Sequence, residues 1–121
     1  MGVVWHGNYL KFFEDARELF GKEFGLAYLD IHAKGFFLPI VKSAINHKAS
    51  VYYGQRIRVN ICLEQHPASK VVFHYDVVNL DTGEVAATGT TTQVFLSRKN
   101  NMMELAKPDF FEDWEQKQSW E

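Results

Sequence analysis

The chain has 121 residues, a length that suits one domain with a sizeable core and is too short for two. Hydrophobic residues make up 46% and aromatics 15%, which excludes a disordered or low-complexity chain. A formal charge of −2, with both signs interspersed, leaves no footprint for nucleic acid. The single cysteine, Cys62, forms no internal disulfide, no apolar run approaches the roughly 20 residues that span a bilayer, and Met1-Gly2 lacks the parts of a signal peptide, so the cytoplasm is the expected compartment.

In chain order, the first element is a helix from Asn8 to Gly25. Tyr9, Phe13, Ala16, Phe20 and Phe24 recur at steps of three and four, the stripe of a helix packed on a core. Asn8 is placed to cap the free amides and Gly25 to stop the helix in a left-handed turn. Glu14 with Arg17, and Glu18 with Lys22, have the spacing of ion pairs on the exposed side. Residues 26–34 read as a short helix or turn. Gly35 then releases the chain into "FFLPIVKSAINHK", an irregular strand around Pro39.

After Gly54 the period changes to two. Ile57, Val59, Ile61 and Leu63 alternate with Arg56, Arg58, Asn60 and Glu64 on the opposite side, the pattern of a half-buried strand. The run "HPAS" is turn chemistry, "KVVFHYDVVNL" a second strand, "DTGE" another turn, and "EVAATGTTTQVFLSR" a third long strand. Short turns between successive strands predict an antiparallel meander. Asn100-Asn101 ends it, and Pro108 starts a last helix with Phe110, Phe111 and Trp114 on its apolar side. A sheet with one apolar face needs a cover, and the first helix has a matching stripe; the expected architecture is α+β, an antiparallel sheet wrapped around a long central helix.

The residues with a bearing on chemistry stand at the start of that helix. The stretch "GVVWHGNYLKFFEDAR" resembles the central-helix motif of hotdog-fold thioesterases of the 4-hydroxybenzoyl-CoA and Tol-Pal-associated type. Gly25, "VYYGQRIRV" and "DTGEVAATGTTTQVFLSRK" are similar to the family pattern in order and spacing, so that the resemblance covers roughly residues 2 to 99. It implies a hotdog fold and hydrolysis of a short aliphatic or aromatic acyl-CoA without a further cofactor or metal. It also implies self-association into a dimer or tetramer. His6 matches the position whose backbone amide polarises the thioester carbonyl, and also a side-chain histidine of the Tol-Pal-associated branch. Physical chemistry favours such a seat, because the first amides of a helix are unpaired and its dipole draws negative charge there.

By the same resemblance Val3, Val4, Trp5 and Tyr9 line the approach of the acyl group, Gly7 permits close approach, and Asn8 caps. Arg98 and Lys99 match a basic pair used near coenzyme A phosphates. The family carries a catalytic Asp three residues before the glycine that matches Gly2, upstream of the given sequence. That departure leads to the expectation that the first strand and the preceding loop are missing from residues 1–121. A second branch places its carboxylate about two turns into the helix, where Glu14 stands as base or nucleophile. A non-catalytic module that binds acyl-CoA or acyl carrier protein is the alternative. His32, His47, His66 and His74 have no metal-site spacing and read as structural or surface residues. Neither a phosphate-cradling glycine loop nor a Gly-x-Ser-x-Gly elbow is present.

Overall fold

A computed structural model describes residues 7–118. Helix α1 (Gly7–Phe24) is 18 residues long, about 27 Å at 1.5 Å per residue. Tyr9, Phe13 and Ala16 are buried and Phe20 half-buried, as the stripe predicts, whereas Phe24 is 42% exposed. Fifteen residues after Tyr9 the helix has turned about 60° away from the starting azimuth, so the last stripe residue faces outward. Gly25 has φ +79°, and the Leu26 N–H donates to the Gly21 carbonyl at 2.8 Å, the six-to-one bond of a glycine-terminated helix. Because the helix already begins at Gly7, Asn8 lies inside its first turn and not ahead of it. On the exposed side the ion pair is Lys11–Asp15 at 3.9 Å, not Glu14–Arg17 or Glu18–Lys22.

The short helix expected next is α2 (Tyr28–Ala33), followed by β1 (Phe36–Phe37) and β2 (Ile40–His47). Pro39 stands just ahead of β2, and the irregularity falls inside the strand as a bulge between Ile40 and Lys42. Strands β3 (Ile57–Leu63), β4 (Lys70–Asn79) and β5 (Val85–Val94) form the meander, and β2 joins it on β5, giving the order β2-β5-β4-β3, antiparallel throughout. The third long strand is shorter than its sequence pattern. It breaks at Phe95, whose ring is fully buried, and the chain resumes as β6 (Leu96–Ser97) paired with β1 in a separate small sheet. Helix α3 (Asp109–Gln116) follows Pro108.

Side chains that share a strand face with Tyr75 turn toward α1. The Phe13 ring stacks on Tyr75 at 4.3 Å between centroids and 14° between planes, and the Tyr75 hydroxyl meets Thr91 Oγ1 at 2.8 Å in the interior. Gly89, opposite Tyr75 on β5, makes room for this stack: a methyl group there would lie 2.5 Å from Phe13 Cε2. Phe20 packs edge-on to Phe73 at 5.2 Å. A second aromatic nucleus joins Phe36, Phe95, Phe110, Phe111 and Trp114 under α3.

Candidate active site

The aromatic contacts fix the polarity of α1 on the sheet. Tyr9 meets His47 at the end of β2, Phe13 sits over mid-sheet Tyr75 and Gly89, and Phe20 reaches Phe73 further on. The first turn of α1 therefore lies at the end of the sheet where β2 and β4 finish and β3 and β5 begin. That positive helix end also borders an edge strand, because among the described residues β2 has no neighbour beyond β5 and seven of its eight residues are exposed.

The residues expected to act there are brought together only in part. Val3, Val4, Trp5 and His6 lie outside the described residues. Gly7 opens the helix, Asn8 is half-buried in its first turn, and Tyr9 is 2% exposed, edge-on to Phe12 at 5.7 Å. Burial raises the Tyr9 phenol above the ordinary tyrosine range, since the phenolate loses its hydration. Glu14 is exposed. It stands five residues past Tyr9, about 7.5 Å further along the axis and roughly 140° around it, on the side of the helix away from the sheet.

Arg98 and Lys99 are at the opposite end of the same protomer. The Arg98 N–H donates to the Gly35 carbonyl at 3.0 Å and its Nη1 to the His32 carbonyl at 2.8 Å, while the Lys99 N–H donates to Ser97 Oγ at 3.2 Å. Both side chains are exposed just beyond β6, on the side where β2 starts.

Two features at the α1 end were not singled out from sequence. One is His47, read as a bland connector histidine. It is the last residue of β2, shares the helix-facing side of that strand with half-buried Ile45, and lies 5.1 Å from the Tyr9 ring. The period-two spacing of Ile45 and His47 was the available signal. The other is the exposed pair Tyr52 and Tyr53 in the loop before β3. Gln55 Oε1 accepts the Tyr52 N–H at 2.9 Å and the amide of buried Asn79 at 3.0 Å. Asn79 Oδ1 in turn accepts the N–H groups of Asp81 and Thr82. Arg56 closes the network on Asp81 through its backbone N–H at 2.7 Å and its guanidinium at 3.2 Å, and these bonds hold the Asp81 carboxyl below the usual carboxylate range.

Clefts elsewhere differ in chemistry. One of about 550 Å³ lies between the β3–β4 turn and α3, beside the ion pair Lys107–Glu115 at 2.7 Å. Another of about 340 Å³ is on the outer face of the sheet among Asn46, His74, Asp76, Thr88 and Thr90. Among the described residues no group of three metal-ligating side chains occurs, and no helix is long and apolar enough to cross a membrane.

A four-stranded antiparallel sheet wrapped over a long helix, with that helix's N-terminal turn at the sheet's free edge, is a hotdog fold. The chain belongs to the thioesterase-like superfamily, whose description matches residues 1–118. It is 30% identical over 114 residues, 94% of this chain and 81% of the other, to the Bacillus subtilis protein named "Putative acyl-CoA thioesterase YneP". A 1,4-dihydroxy-2-naphthoyl-CoA hydrolase of Synechocystis is 26% identical, with 79% of this chain and 70% of that protein covered. Among solved structures, a DHNA-CoA thioesterase from Staphylococcus aureus superposes with a TM-score of 0.80 at 29% identity, over 96% of this chain and 76% of its own.

Proposed function

We propose that this chain hydrolyses an acyl-CoA thioester to the free acid and coenzyme A, in the cytoplasm and without a metal or further cofactor. The carrying observation is the position of the α1 N-terminal turn, fixed by Tyr9 against His47, at the exposed edge of the sheet. The amides of a helix start seat the negative charge that grows on the thioester oxygen, and the motif makes the His6 amide the expected donor. Val3, Val4, Trp5, Gly7 and Tyr9 frame the acyl group, and Asn8 supports the turn. The motif "WHGNYLKFFE" favours the 4-hydroxybenzoyl-CoA and Tol-Pal-associated branch, while the relatives named for dihydroxynaphthoyl-CoA favour a larger aromatic acyl group.

The site is completed by a second copy. Antiparallel pairing along the free edge of β2 sets the start of one β2 beside the end of the other. The Arg98–Lys99 turn of the second copy then comes to the α1 end, where its cations serve the phosphates of coenzyme A. Exposed Glu14 is the carboxylate candidate of this chain, as base or nucleophile. A further pairing of dimers gives a tetramer.

Thiol release from benzoyl-CoA, butyryl-CoA and 1,4-dihydroxy-2-naphthoyl-CoA tests the reading, with the given chain and with one extended at its N-terminus beside it. Turnover is expected from the aromatic thioesters at least, falling by about 10² or more in Glu14→Gln if that carboxylate takes part. The outward position of Glu14 favours a second reading, a module that binds acyl-CoA or acyl carrier protein without turnover. Saturable coenzyme A binding with no thiol release from either chain selects it.

A further inference from the structure

We infer that His47 is the proton-transfer residue of the thioester site, a role that rests on the proposed hydrolysis. Three observations converge on it. Pairing with Ala87 sets His47 on the helix-facing side of β2, in line with Ile45, so its ring projects beside the first turn of α1 and not onto the outer sheet. The Tyr9 ring lies 5.1 Å from it at a tilt of 53°, and Tyr9 is itself locked in the core, which restricts where the imidazole can turn. The imidazole nonetheless remains exposed. An imidazole held at the mouth of a helix N-terminus is placed to act on a water that attacks a carbonyl seated there, whereas Glu14 of the same protomer faces away.

The step balances without another reactant. A ring nitrogen of His47 takes a proton from water as the water oxygen bonds to the thioester carbon, and the carbonyl electron pair moves to the oxygen held by the α1 amides. Collapse restores the carbonyl and breaks the C–S bond. The imidazolium then returns the proton to the departing coenzyme A sulfur. Among the described residues, α1 brings the Tyr9 phenol to the ring, and Ala87 opposite on β5 brings no charge.

The full chain, His47→Gln and Glu14→Gln are compared for thiol release from benzoyl-CoA and butyryl-CoA across pH, with thermal unfolding as a control on folding. His47→Gln is expected to unfold as the unsubstituted chain does, to lose about 10²–10⁴ in kcat with KM within threefold, and to lose the acid limb of the pH profile. A His47→Gln kcat within threefold of the unsubstituted chain, with the acid limb kept, overturns the assignment while leaving the hydrolase reading intact. Absence of thiol release from the unsubstituted chain overturns both. Should His47→Gln unfold early, His47→Asn carries the same comparison.

Discussion

Gly89 is the residue on which the contact between helix and sheet is closest. An added methyl group would sit 2.5 and 2.7 Å from Phe13 Cε2 and Cζ and 2.9 Å from the Ala44 carbonyl, and the ring is held from behind by its stack on Tyr75. Gly89→Ala should therefore destabilise by about 1–3 kcal/mol, the usual cost of overpacking, although strand positions ordinarily gain from losing a glycine. Urea unfolding reads this directly; a loss under about 0.5 kcal/mol would mean that the Phe13 ring shifts freely.

Two titrations belong to the same scale. Burial keeps the Tyr9 phenol protonated at pH values where the unfolded chain, ionising near pH 10, has released its proton. The folded state then holds the extra proton, so this contribution is complete below about pH 10 and is lost as pH rises through the higher folded value. Tyr9→Phe should lose less stability than the unsubstituted chain between about pH 9 and 11 in thermal melts. Asp81 has the opposite sign. Its carboxylate is favoured first by the Arg56 N–H and then by the guanidinium, so its contribution is present above about pH 4 and is lost as pH falls through the lower folded value. Asp81→Asn should flatten that acid loss; the pair's contact with solvent and salt keeps the effect small.

Among elements, α1 carries an inverted expectation. Glycine within a helix normally costs up to about 1 kcal/mol relative to alanine, so Gly21→Ala would be a routine stabilising change. Here the chain beyond Gly25 folds back over it. A methyl group on Gly21 would meet the Ala27 Cα and Leu26 carbonyl at 2.8 Å, which are backbone atoms fixed by the same Leu26–Gly21 bond that ends the helix. Gly21→Ala should lower stability by about 1–3 kcal/mol in chemical denaturation, and a gain would show that the helix end is not closed in this way.

The same elements indicate what sequence makes legible. Periodicity located α1, β3 and β4 because each buries one face against a single partner, and Gly25 marked its stop through a positive φ that glycine alone adopts readily. Periodicity was silent where pairing is long-range. Nothing local distinguishes Phe95 as the break in the third long strand; its ring is claimed by Phe36, 59 positions earlier, and by Phe110 and Phe111 after it. The site followed the same rule. The helix start was legible as a motif, but His47 became a neighbour of Tyr9 only through the pairing of β2 on β5, and Arg98 proved to be at the far end of the protomer for the same reason.

At the scale of the whole molecule, the described residues leave the hydrogen-bonding edge of β2 unfilled. Edge strands are ordinarily blunted by charge, proline or a bulge that twists them away. β2 has a bulge at Val41, yet it leaves Val41 59% and Ile40 44% exposed at the end of the strand, next to the small β1–β6 sheet. Covering one valine is worth about 1.5–3 kcal/mol, so a dimer made along this edge gains at two equivalent positions from the two-fold. Val41→Lys places a charge at both. Its dimer dissociation constant, measured by sedimentation equilibrium, should rise at least about tenfold for each 1.4 kcal/mol lost, with the monomer's thermal midpoint nearly unchanged because the side chain is already in solvent. If the Arg98–Lys99 turn reaches the thioester site only across that edge, KM for an acyl-CoA should rise in step with the dissociation constant and return at high protein concentration. An unchanged KM in a variant shown to be monomeric would place the coenzyme A contacts within one protomer.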